Sequence, residues 1–202
     1  MIEMETITRR KLNKILELHK EWLQTMDKEY VRGERANLSF TDLSEFDLSY
    51  AQLSYAYMYR ANLTGANLRG ANLEGASMSS VNLQEANLSY ANLCKANLYN
   101  SKLNDAYIKN TNLQEANLSF TDLSNSNLCR SNLCKANLEF AKLDNANMNL
   151  ADLQNANLFF ASLSNIKFSK SKMKGSYLYG TILGMDLASV KPLDTNSINH
   201  LI

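Results

Sequence analysis

Leucine or methionine stands at every fifth position of "LSFTDLSNSNLCRSNLCKANLEFAKLDNANM", residues 118–148. Five is the period of neither an α-helix nor a β-strand, whose side chains return to one side about every 3.6 and 2 residues. The pattern extends well beyond this stretch. From Leu38 to Leu183 there are thirty such centres without a slip of phase, 24 of them Leu, four Met, and the others Ile108 and Phe168. Two residues before each centre stand 18 Ala, five Ser and four Thr, with Phe46, Val81 and Ile166 as bulky exceptions. One residue before, 15 are Asn and four are Asp.

A large and a small residue two apart both point inward, as alternate residues of a short extended segment do. The other three of each five face water. A sharp corner must follow, or the next large residue would not return to the same axis. One such side is too short to hold a core, so the chain must coil and stack coil on coil. Stacking also aligns backbone N–H and C=O groups for bonding along the axis, at about 4.8 Å per coil. Five residues make one side of a tower.

The motif A-(D/N)-L-x-x, as in "ANLTGANLRGANLEGA" (61–76), resembles the pentapeptide repeat family over residues 36–183. The resemblance implies an all-β fold, a right-handed quadrilateral β-helix with four pentads per coil. Thirty pentads then make about 7.5 coils, a rod of roughly 36 Å. Echoes of the sequence test this only weakly: "LSFTDLS" at 38 and 118 and "LCKANL" at 93 and 133 obey a multiple of twenty, whereas "LQEANLS" at 83 and 113 does not.

The flanks read differently. In residues 8–30, Leu12, Ile15, Leu16, His19, Trp22, Leu23, Met26 and Tyr30 follow the spacing of an amphipathic helix. Thr6 or Thr8 can cap its start, and Gly33 can end it. A tower exposes its apolar bore at each end, so residues 1–35 are expected to form an N-terminal helical lid, with His19 packed in it rather than serving as a ligand. The repeat domain spans 36–183, and 184–202, "GMDLASVKPLDTNSINHLI", is expected to be a C-terminal cap or tail.

Composition narrows the function classes. Lys plus Arg number 21 and Asp plus Glu 20, so bulk charge favours neither a nucleic-acid binder nor an acidic mimic. Three cysteines, Cys94, Cys129 and Cys134, form no disulfide framework and suit a reducing compartment. Cys94 and Cys134 share a column but lie two coils apart, about 10 Å, beyond disulfide reach; they are expected to be exposed free thiols. The charged start and the lack of a long apolar run suggest a cytoplasmic chain with no membrane association. Two histidines, both outside the repeats, no Cys-x-x-Cys pair and no phosphate loop point to no catalytic, cofactor or metal site, and hence no enzyme.

Surface pattern remains. Sorted by position modulo twenty, the outward residues form four faces. The face centred on 38, 58 and onward to 178 holds Phe40, Tyr57, Tyr59, Tyr99, Phe120, Phe140, Phe159, Phe160, Tyr177 and Tyr179, ten of fourteen outward aromatics. Contiguous exposed aromatics mark interaction sites, although stacking between coils is the plain alternative. The face centred on 43 onward has no aromatics and nets −4; the face centred on 48 to 168 nets +4 and is read as lying across from it.

The leading functional expectation is a non-enzymatic scaffold that binds a protein partner or itself through the aromatic face. Replacing Phe120, Phe140 and Phe160 by Ser should then abolish association with thermal unfolding nearly unchanged. The alternative, suggested by the family resemblance, is a DNA mimic that binds and protects DNA gyrase. Against it, a −4 face on a rod of about 36 Å falls several-fold short of duplex DNA, which carries a charge every 1.7 Å or so. Gyrase-protecting relatives also tend to carry Phe at many centres, where this chain has only Phe168, and a dimerising C-terminal module. Nucleic-acid binding along a lysine-rich face ranks third.

Overall fold

The computed structural model describes residues 4–181. Its chain begins with β1 (Glu5–Thr6), continues through α1 (Arg9–Thr25), and then coils for the rest of its described length, with β2 (Thr41–Asp42) on the first coil. Parallel bridges join residues twenty apart, from Asn37↔Tyr57 through Asn157↔Tyr177, so four pentads complete one turn. Each side contributes one bridged residue, because only three residues fit between corners.

Most pentads repeat the same backbone bonds. The Leu63 N–H donates to Asn82 O (2.7 Å), the Gly65 N–H to Gln84 O (2.9 Å), and the Asn82 N–H back to Ala61 O (3.0 Å). The corner is closed within the pentad, where the Ala66 N–H donates to Leu63 O at 3.0 Å. This four-residue turn needs positive φ at its third residue, as a type II turn does. Gly65, Gly70 and Gly75 supply it, but most corners use other residues, such as Phe120 (φ 59°), Phe140 (φ 55°) and Arg130 (φ 61°). Each such residue opposes a preference of about 1–2 kcal/mol. The bond its own N–H makes to the next coil, Phe120 N–H to Glu139 O at 2.9 Å, offsets it.

The core is a single column. Leucines and methionines at the centres are buried, with Ala between them. A fully buried Leu contributes about 1.5–3 kcal/mol. Where Ser or Thr replaces Ala, the hydroxyl is satisfied by a backbone carbonyl: Thr111 Oγ1 donates to Leu88 O (2.7 Å) and Ser126 Oγ to Leu123 O (2.6 Å).

The asparagines just before the centres, read from sequence merely as facing water, hold the coils together. Asn112 Oδ1 accepts from the Gln114 N–H (3.2 Å), while its Nδ2 donates to Asn92 Oδ1 (3.0 Å) and Asn132 Nδ2 donates to Asn112 Oδ1 (3.2 Å). A small amide can bond its own turn and its neighbours above and below. The amide supplies both a donor and an acceptor in one planar group.

At the N-terminal end, β1 pairs in parallel with β2, Glu5 opposite Thr41 and Thr6 opposite Asp42, which sets Ile7 into the core above Leu43. Thr8, rather than Thr6, caps α1, its Oγ1 accepting from the Lys11 N–H at 3.2 Å. Leu12 and His19 are fully buried, and Ile15 and Leu16 pack on the same core. The helix is shorter than its periodicity suggests: it ends at Thr25, and Tyr30 is exposed. Thr25 Oγ1 bonds Glu21 O (2.8 Å) and accepts from the Arg32 N–H (2.9 Å), turning the chain back. Gly33 does not terminate the helix; it lets the returning chain touch it. At φ 72°, a Cβ there would lie 2.1 Å from Leu18 O, and the next N–H, of Glu34, bonds that carbonyl at 3.1 Å. The last centre, Leu183, and the expected C-terminal segment 184–202 lie outside the described residues.

Candidate functional site

Twenty-residue stacking brings the expected aromatic face together, in two groups. Tyr99, Phe120, Phe140, Phe159, Phe160, Tyr177 and Tyr179 form one unbroken run of ring contacts. Phe120 and Phe140 stack at 4.9 Å, Phe140 and Phe160 at 5.6 Å, and Phe159 meets Phe160 edge-on at 4.5 Å. The corner positions of successive coils place Phe120, Phe140 and Phe160 in one line, while Phe159 and Tyr179 occupy the adjoining column. Stacking does not hide them: Phe120 remains 48% exposed and Phe160 44%. Phe159 is half-buried.

The second group, Phe40, Tyr57 and Tyr59, is separate. Phe40 meets Tyr59 edge-on at 5.3 Å and is half-buried. Tyr57 is partnered by Arg35, whose guanidinium lies 3.8 Å from the ring centre and whose Nη1 donates to the hydroxyl at 2.8 Å. Between the groups, Ser77, Ser79 and Ser80 replace the rings of the intervening coil. An open depression of about 760 Å³ runs along the edge between this face and the acidic one, lined by Phe40, Arg60, Ser80, Asn100 and Phe120 on one side and by Asn82, Lys102, Asp122 and Lys142 on the other. The interruption of the rings has a signal in the sequence that the count of aromatics passes over, Ser77, Ser79 and Ser80 around Met78.

Charge is sparse on this face and sorted elsewhere. Its only charged outward residues are Arg60 and Glu139. The −4 and +4 faces do not oppose each other: their centres are five residues apart, so they are consecutive sides meeting along an edge. Asp42, on the acidic side, is held below the usual carboxylate range by hydrogen bonds from Ser44, chiefly its hydroxyl.

Chemistry of other kinds finds little footing. The three cysteines are unpaired and half-buried rather than exposed. Burial, then the Glu74 carboxylate, pushes the Cys94 thiol up, which weakens it as a nucleophile at neutral pH. Among the described residues no group of His, Cys, Asp and Glu could hold a metal ion, and no helix is long and apolar enough to cross a membrane.

Among the described residues His19 is the one buried titratable ring. The Ala36 N–H donates to its Nδ1 (3.1 Å), so the ring is neutral with its proton on Nε2, and it stacks on Trp22 at 5.5 Å. Nε2 makes no hydrogen bond of normal geometry. Burial drives its pKa down, and the Ser54 carbonyl opposes that shift without overcoming it. This position belongs to the packing of α1, as expected from its place on the apolar stripe.

The family model for pentapeptide repeats matches in eight copies, over residues 36–75, 76–114, 111–149 and 146–184. Among solved structures, trypsin-treated QnrB1, a plasmid-mediated fluoroquinolone resistance protein, is similar at 17% identity over 81% of this chain and 92% of its own, with a TM-score of 0.67. That likeness is one of fold. HetL, a pentapeptide repeat protein involved in heterocyst differentiation regulation in Nostoc sp. strain PCC 7120, aligns at 28% identity over 75% of this chain and 80% of its own, TM-score 0.30. A pentapeptide repeat protein of the Arabidopsis thaliana thylakoid lumen aligns at 26% identity over 66% and 75%, TM-score 0.44. No curated protein matches the chain.

Proposed function

The chain belongs to the pentapeptide repeat family, and we propose that it is a non-enzymatic scaffold whose aromatic face binds a protein partner or a second copy. One observation carries the reading: seven rings in continuous contact, six of them still 40–48% exposed, lie on a face with only two charged outward residues. Stacking alone accounts for the ring contacts but not for their concentration on one side. Interfaces draw their energy from such aromatic anchors with few charges among them. In this scheme residues 1–35 close the N-terminal end, with α1 as lid, and 36–183 form the roughly 7.5-coil rod.

The test is capture from native cytosol with the wild-type protein and the Phe120→Ser, Phe140→Ser, Phe160→Ser triple variant, both verified as folded by circular dichroism at the working temperature. The reading expects association that the triple variant loses. Equal capture by both would overturn it.

Gyrase protection stands as the alternative. It draws on the shared fold, and the charge distribution weighs against it. An acidic side of −4 joined along one edge to a basic side of +4 does not present the uniform negative field of a duplex.

A further inference from the structure

We propose that the occupant of the aromatic face is a second copy of this chain, docked antiparallel with a two-fold axis at the level of Asn100. The inference rests on the reading of that face as an interaction surface and names its partner.

The corner column of the face reads, one residue per coil, Phe40, Arg60, Ser80, Asn100, Phe120, Phe140 and Phe160. A two-fold axis in the interface plane, perpendicular to the rod, reverses this order while keeping column against column. Reversed about Asn100, the column complements itself. Phe120 of one copy falls opposite Ser80 of the other, beside the open depression along this edge, which Lys102, Asp122 and Lys142 also line. In the adjoining column, Phe159 falls opposite Ser39 and Tyr59 opposite Glu139. Arg60 comes to face the Phe140 ring of the second copy with Glu139 beside it. In these pairs ring meets serine and cation meets carboxylate, each made twice by symmetry, while Phe160 falls opposite Phe40 and Tyr99 opposite Tyr99, ring on ring.

Charge selects this register. Sliding the axis to midway between Asn100 and Phe120 also sets rings against small residues. There, however, Glu139 faces Ser79 of the other copy, and Arg60 meets Phe160 with no carboxylate near. Neither Arg60 nor Glu139 is in an ion pair among the described residues; the Arg60 guanidinium lies 5.3 Å from the centre of the Tyr59 ring, and both charges are left for a contact across the interface. Seven coils span roughly 34 Å, and one narrow side of such a rod buries an interface at the small end of the range, about 1,200 Å² or less in total. Such an interface belongs to the small, transient class and, being isologous, closes without forming filaments.

Sedimentation equilibrium up to about 500 µM tests the proposal with four variants beside the wild type. Wild-type protein should show a monomer–dimer equilibrium. R60E and E139R should each weaken it, by roughly fivefold or more, and R60E/E139R together should restore most of the loss. Filling the depression with S80F should weaken it by tenfold or so. That variant keeps the fold, because Phe already occupies the same column at φ 52–59°. A wild-type protein that stays monomeric, a dimer indifferent to S80F and R60E, or a double reversal that fails to recover would each overturn the second copy as partner. The broader reading falls separately. Monomeric protein that still captures a cytosolic partner through Phe120, Phe140 and Phe160 sinks the dimer and keeps the face; loss of both sinks both.

Discussion

Phe140 is the hub of the ring ladder, touching Phe120 at 4.9 Å, Phe160 at 5.6 Å and Phe159 at 5.7 Å. Replacing it by Ser removes all three contacts. At the low end for aromatic pairs, about 0.5 kcal/mol each because the rings are partly wet, these sum to about 1.5 kcal/mol. Burial adds to this. Complete burial of Phe is worth about 3 kcal/mol, and this ring keeps 40% of its exposure, so close to 2 kcal/mol more is lost. Backbone strain hardly changes, because Ser80 already holds the same conformation at φ 58°. F140S should therefore destabilise the rod by about 3 kcal/mol. Tyr107, 58% exposed and without a ring contact among the described residues, is the control, and Y107S should cost about 1 kcal/mol. Repeat rods need not unfold in one step. The measurement is accordingly urea unfolding together with hydrogen exchange at the Phe120 and Phe140 amides, which bond Glu139 O and Phe159 O at 2.9 Å each. If F140S costs no more than Y107S and leaves those amides equally protected, the ladder contributes nothing structural. The same contacts revise the sequence-based expectation that replacing three Phe residues leaves unfolding nearly unchanged: the triple variant breaks six of the ring contacts and should melt lower.

The other predictions concern the scaffold and its rival role. His19 is neutral when folded and its pKa is lowered, so the unfolded chain takes up its proton first; stability should be full above about pH 6.5 and fall as pH drops below it, a slope that H19Q removes in melting curves recorded against pH. If H19Q keeps the slope, the buried ring is not its source. N112A deletes three hydrogen bonds and should cost about 1.5–3 kcal/mol, whereas N112D keeps both acceptor roles and should cost about 1, measured by urea unfolding; equal losses would show that the amide ladder does not act through its bonds. Gyrase supercoiling and quinolone-induced cleavage should be unchanged by the purified protein at micromolar concentration, and protection at that level would displace the scaffold reading.

Much of the architecture is legible from five-residue spacing, because a side chain that must reach a shared axis allows one large residue per side. Leu38, Leu98 and Leu158 are buried for the reason their spacing implies. Spacing of five cannot by itself tell how many sides close the coil, since every pentad obeys the same rule. The bridges between residues twenty apart settle it, and with them which aromatics become neighbours. Glu5–Thr6 carried no signal, because two residues joining the edge of a distant coil have no period of their own. The asparagine ladder and the corner residues at positive φ were equally hidden: their stabilising bonds run to coils twenty residues away. By itself, the sequence determined a tower with a leucine core, because burial acts on every repeat alike; one aromatic side followed only once four pentads per coil were taken from the family resemblance. Only the tertiary structure decided that the rings touch, that Ser80 leaves a gap between them, and which sides adjoin, because those depend on what one coil sets against the next.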